Sequence, residues 1–195
     1  MWKVTLGLLV LGTLLFAIVY KENFDSKEDV YSASAKSIQG GEFTLNGERG
    51  PVSLSDFKGK TVVMYFGFTA CPDVCPMALS YLNGVLKDVE ERDKVKVLFV
   101  SVDHKRDSPE TVGKYVRFFN KDFIGLTGSQ EQINKAVKKY NVYYRFIEMK
   151  NSGLNYTVDH TSRFFIVGPD GSLQKTIHSQ EPSEVFKKQL LSVLE

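Results

Sequence analysis

The sequence predicts an α/β domain with a mixed central sheet, and three observations carry that expectation. Two nearly continuous apolar runs, KTVVMYFGF and VKVLFVSVD, have the make-up of strands buried on both faces. The segments between and after them carry apolar residues at helical spacing. The chain then closes with a strand–turn–strand pattern, RFFIVGPDGSLQKTIH, and one more helical segment, PSEVFKKQLLSVLE.

Taken in order from Ile38, the first element is a hairpin. EFTLNGERGPVSLSDFKGK holds two short extended runs around a Gly-Glu-Arg-Gly-Pro turn. KTVVMYFGF follows as the first central strand. PMALSYLNGVLKDVEER then places Ala78, Leu82, Val85, Leu86 and Val89 at helical spacing, with Pro76 suited to a first helical turn. VKVLFVSVD is the second central strand, and SPETVGKYVRFF opens on a Ser-Pro helix start. FIGLTG reads as a third strand. SQEQINKAVKKY sets Ser129 and Gln132 in capping-box spacing, with Ile133, Val137 and Tyr140 on one face. Strand, cysteine loop, helix, strand, helix, hairpin, helix is the order of a thioredoxin-like fold.

The N-terminus is of another kind. Val4 to Tyr20 contains no charged residue and is bounded by Lys3 and Lys21. Its length is at the short end of the roughly 17–25 residues that cross a bilayer as a helix. Trp2 and Tyr20 stand at its ends, where interfacial aromatics belong. No small-x-small cleavage site follows and no polar stripe interrupts it, so an uncleaved transmembrane helix over 1–21 is favoured over a signal peptide or a core helix. Residues 22–37 are polar and acidic and read as a tether, leaving 38–195 as the folded domain. Lys3 before the segment and the acidic residues after it place the domain on the outer face of a bacterial cytoplasmic membrane, where an unpaired dithiol needs a purpose.

A chain of 195 residues suits one such domain. A formal net charge of +2, with no Lys/Arg-rich run, argues against a nucleic-acid partner. The chemistry therefore centres on the only two cysteines, Cys71 and Cys75 in FTACPDVCPM, with one residue more between them than a C-x-x-C redox site has. They fall where a buried strand ends and a helix begins, a place that favours thiolate. Residues four apart on a helix stand roughly 5–6 Å apart at Cβ, whereas a disulfide wants about 3.8 Å. A metal clamp, an exchangeable dithiol and a structural pair all remain open at this point. Further ligands must come from His104, His160 and His178, the three histidines. His160 is expected in a loop just before an apolar strand, His104 in the loop after VKVLFVSVD, and His178 exposed at the end of the last strand. Two thiolates and an imidazole suit Cu(I) or Zn(II) rather than Mg or Ca. Met77, beside the cysteine loop, could be a soft neighbour of a bound metal, but a core contact in the helix is the favoured expectation.

Several separate segments resemble the Sco/SenC family of membrane-anchored copper proteins. YFGFTACPDVCP resembles the family's copper loop, SVDHKRDSPETVGKYV its strand-to-helix segment with Asp103, and YTVDHTSRFFIVGPDG its histidine loop. GGEFTLNGERGPVSLSDFKGK resembles its first hairpin, so the likeness extends from Ile38 to Leu194. The resemblance implies that Cys71, Cys75 and His160 bind one copper per monomer, as Cu(I) or Cu(II). Asp159 carries little weight as a further ligand, and His104 matches no family ligand. It also implies a metallochaperone that delivers copper to the copper A centre of cytochrome c oxidase subunit II, loaded by another copper chaperone or reduced by a thioredoxin-like reductant. The anchor lacks the lipidation cysteine of some Gram-positive members. The alternative is a thiol–disulfide oxidoreductase that uses Cys71 and Cys75 catalytically to reduce the copper A cysteines. Peroxidase chemistry of the Thr-x-x-Cys kind fits poorly, since Thr69 stands only two residues before Cys71.

Overall fold

Two strands with almost no exposed residue form the centre of the molecule. In the computed structural model, which describes residues 38–150 and 153–194, β3 (Thr61–Gly67) is buried throughout and β4 (Val95–Ser101) at all but one position. Their Val-, Leu- and Phe-rich sequences suit strands covered on both faces. They pair in parallel, Thr61 opposite Val95 through to Gly67 opposite Ser101.

The remaining elements follow the expected order except for β6 and β7, a hairpin between the third helix and the closing strands that was not expected. A hairpin of β1 (Thr44–Gly47) and β2 (Gly50–Ser53) comes first, then β3 and helix α1 (Val74–Lys87). After β4 come α2 (Pro109–Phe119), β5 (Ile124–Thr127) and α3 (Gln130–Lys139). The last part holds β6 (Tyr144–Glu148), β7 (Tyr156–His160), β8 (Arg163–Val167), β9 (Leu173–His178) and α4 (Ser183–Leu194). Seven strands form one sheet in the order β2-β1-β5-β4-β3-β8-β9, parallel across β3, β4 and β5 and antiparallel elsewhere, so the sheet is mixed.

Local chemistry explains the helix starts. Ser108 caps α2 by accepting the Thr111 amide at 3.2 Å, with Pro109 in the first turn. Ser129 and Gln132 complete the expected capping box of α3, each side chain accepting the other's amide. α1 buries Cys75, Ala78, Leu79, Leu82, Val85 and Leu86, and the helix also contacts α2 and α4.

β6 and β7 stand apart as a separate two-stranded sheet, Tyr144 opposite His160 through to Glu148 opposite Tyr156. This corrects one expectation. His160 is not in a loop but is the last residue of β7, its backbone held in a ladder. The transmembrane helix expected over 1–21 and the tether over 22–37 lie outside the described residues. Among the described residues no helix is long and apolar enough to cross a membrane.

Candidate metal centre

β3 and β4 end at the same edge of the sheet, the edge where open α/β sheets bind ligands. Gly67 closes β3, and a Cβ on it would lie 2.7 Å from Cys75 Sγ and 2.9 Å from a Phe99 ring carbon. The second sulfur seats against the strand because no side chain is there. Beyond Gly67 the chain runs through Phe68, Thr69 and Ala70 to Cys71. Asp107, buried in the loop after β4, fastens this approach by accepting the Thr69 amide at 2.9 Å and its hydroxyl at 2.6 Å. Ser101 at the end of β4 donates to the same carboxylate. A buried carboxylate with several donors is satisfied without an ion partner.

Because α1 begins at Val74, Cys75 lies in its first turn and Cys71 just ahead of it. Both cysteines are free and buried. The Cys75 amide donates to Cys71 Sγ at 3.4 Å, one of the unpaired amides that a helix start offers. The Cys71 thiol is pulled down to about 4, first by the Cys75 thiol and further by His160 and the Asp73 and Cys75 amides, against burial. Cys75 is pushed up by its bond to the Cys71 sulfur, by burial and by the charge on Cys71. The two thiols titrate as a coupled pair, with Cys71 the more readily deprotonated of the two.

The hairpin delivers the third donor. His160 Nε2 stands 3.5 Å from Cys75 Sγ. Its Nδ1 stands 3.1 Å from the Thr161 carbonyl oxygen, which only accepts, so Nδ1 carries the proton and Nε2 presents its lone pair. The ring sits edge-on to Phe68 at 5.8 Å and to Tyr65 at 6.1 Å. Tyr65 is anchored by a 2.9 Å hydrogen bond between its hydroxyl and that of Ser162. The donor atoms of Cys71, Cys75 and His160 all lie within 4.8 Å of one another. Two sulfurs and a neutral imidazole nitrogen make a soft donor set that fits Cu(I) or Zn(II).

The other candidates fall elsewhere. His104 packs edge-on against Phe146 of the hairpin at 5.4 Å, its Nδ1 buried without a hydrogen-bond partner. His178 is exposed at the end of β9 and accepts the Gln180 amide. Asp159 alternates to the outer face of β7, exposed and 3.8 Å from Arg145. Met77 corrects an expectation: it is 57% exposed, not a core residue. Its place in α1 falls on the side away from Ala78, Leu79 and Leu82, beside the cysteine loop.

Sequence reasoning passed over Gly67, Asp107, Tyr65 and Phe68. Gly67 had a readable signal, since a glycine ending an apolar strand marks a close approach. The others had none, because what matters is a partner far along the chain.

The sequence profile described as SCO1/SenC matches residues 32–195. The SCO2-like protein of Rickettsia prowazekii is 31% identical over 191 residues, covering 94% of this chain and 92% of that protein. The chain spans 66% of the mitochondrial SCO2 protein of Saccharomyces cerevisiae, also at 31% identity. Among solved structures, Arabidopsis thaliana ScoI with copper bound is similar at a TM-score of 0.74 and 33% identity, covering 80% of this chain and 97% of that one. BsSco, described as having a disulfide switch and as a member of the Sco family of cytochrome c oxidase assembly proteins, is similar at a TM-score of 0.61 and 28% identity, covering 80% and 92%.

Proposed function

This chain belongs to the SCO1/SenC family, and on that premise we propose that it carries copper for the assembly of cytochrome c oxidase through Cys71, Cys75 and His160. The observation that carries the reading is the convergence of two sulfurs with an imidazole whose Nδ1 is engaged by the Thr161 carbonyl, so that Nε2 faces the sulfurs. Thiolate and neutral imidazole are the forms that bind Cu(I), and the surroundings of Cys71 favour the first. Copper is cargo here. Three donors leave a position at which a thiolate of the recipient can enter, so the ion passes by ligand exchange. The copper A centre of oxidase subunit II, with its two cysteines, is the recipient this proposal names. The apolar N-terminal segment, as an anchor in the cytoplasmic membrane, would keep the site on the outer face where that centre is assembled.

Anaerobic Cu(I) titration tests the reading. One copper per chain is expected, lost in Cys71→Ser and Cys75→Ser and weakened in His160→Ala. Full stoichiometric binding by all three variants would falsify it. The same His160→Ala protein separates carrier from dithiol reductant. Reduction of a disulfide target should survive the substitution, whereas copper transfer should fall.

A further inference from the structure

A buried charged network joins the two halves of the site. Asp103, in the loop after β4, is wholly buried against the β6–β7 hairpin. The Tyr156 hydroxyl donates to its Oδ1 at 2.8 Å, and Arg106 Nε donates to its Oδ2 at 2.6 Å. Arg106 Nη1 also donates to the Tyr156 carbonyl oxygen at 3.1 Å and to that of Leu154 at 3.4 Å. The guanidinium carbon stands 3.8 Å from the centroid of the Tyr156 ring, within cation–π range. The same guanidinium carbon stands 5.9 Å from the ring centroid of Phe68, the ring that lies edge-on to His160.

The hairpin needs such an anchor. An isolated two-stranded ribbon is marginal in water, and β6–β7 pairs with no strand of the main sheet. Along β7, Tyr156, Val158 and His160 share one face. At roughly 3.3 Å per residue, Tyr156 and His160 stand about 13 Å apart at opposite ends of the strand. Movement at the Tyr156 end therefore swings the imidazole at the other. Arginine suits the position because its planar fork can bind a carboxylate, reach backbone carbonyls and stack on a ring at once.

We propose that Arg106 and Tyr156 are positioning residues for copper, clamping one end of β7 to the loop after β4 so that His160 at the other end meets the two sulfurs. The proposal rests on the copper reading above. Neither residue touches the ion, and both act through His160.

The test is a double-mutant cycle on the full chain, reading Cu(I) affinity against a chromophoric Cu(I) chelator under anaerobic conditions. Arg106→Gln should weaken Cu(I) binding by roughly 10-fold, the low end of outer-sphere substitutions at metal sites, and Tyr156→Phe by less. In a His160→Ala background the same substitutions should change affinity by under about twofold, because the residue they act through is gone. Amide exchange over β6 and β7 in the metal-free variants should quicken, while exchange over β3 and β4 stays as in wild type. Tyr156→Phe removes a single hydroxyl and keeps the ring, so it carries the cycle should Arg106→Gln fail to fold. An equal loss with and without His160 overturns the proposal, as does unchanged affinity alongside a loosened hairpin. If wild type binds one copper and His160→Ala weakens it, the copper reading stands whatever the cycle shows. If wild type binds none, both fall.

Discussion

The central strands and the β6–β7 hairpin each supply part of one site, but they are held in different ways. β3 and β4 are buried almost residue by residue and have strand neighbours on both sides, so the cysteine loop springs from the most constrained part of the molecule. The hairpin has a single buried residue on β7, Val158, and depends on side-chain contacts through Asp103, Arg106, Phe146 and Tyr156. Its charged outer face, with Arg145 and Asp159, adds little stability. The difference teaches that a binding site need not be uniformly rigid. The two sulfurs are given by the fold, while the imidazole is placed by a small number of polar contacts.

The sharpest way to break that comparison is to remove one donor from each side. Cys75→Ser should abolish copper binding, whereas His160→Ala should leave measurable binding at the two sulfurs, both read by equilibrium dialysis. Packing comes next. Phe99→Ala in β4 should lower the unfolding free energy by about 3–5 kcal/mol, against about 1.5 kcal/mol for Val158→Ala in the hairpin. Denaturant melts of both proteins check this, and equal losses would mean that the hairpin is part of the core after all.

A gentler probe is reactivity. With Cys71 held near 4 and Cys75 pushed up, iodoacetamide should label Cys71 at pH 6 and spare Cys75. The sign is set by the thiolate. The labelling rate should stay nearly level as pH falls from 8 to 5 and drop only as pH passes through about 4, where Cys71 takes up its proton. Peptide mapping after labelling reads the outcome, and preferential labelling of Cys75 would reverse the assignment.

The same contrast explains what could be read in the amino-acid sequence. The runs that became β3 and β4, the Ser129–Gln132 cap and the place of Cys71 and Cys75 all depend on neighbours close in sequence. The mixed sheet and the thioredoxin-like order followed from them. The strand character of His160 was not legible, because β6 and β7 are short, half exposed and pair only with each other. The Asp103–Arg106–Tyr156 network was hidden for a related reason: Tyr156 is 53 residues from Asp103, and only the fold brings them together. Met77 misled because an apolar side chain in a helix is core more often than surface, and nothing local marks the helix end beside a cysteine loop.

The separation between the donors has a thermodynamic consequence. Cys71 and Cys75 are four residues apart, so even an unfolded chain can bring both sulfurs to one ion at little entropic expense. His160 lies 85 residues beyond Cys75, and an unfolded chain must close that whole loop to use it. Folding closes the loop in advance. Copper therefore favours the folded over the unfolded chain chiefly to the extent that the histidine takes part. The rise in melting temperature on loading is a measure of the imidazole, and the two thiols, strong ligands in either state, contribute far less to it.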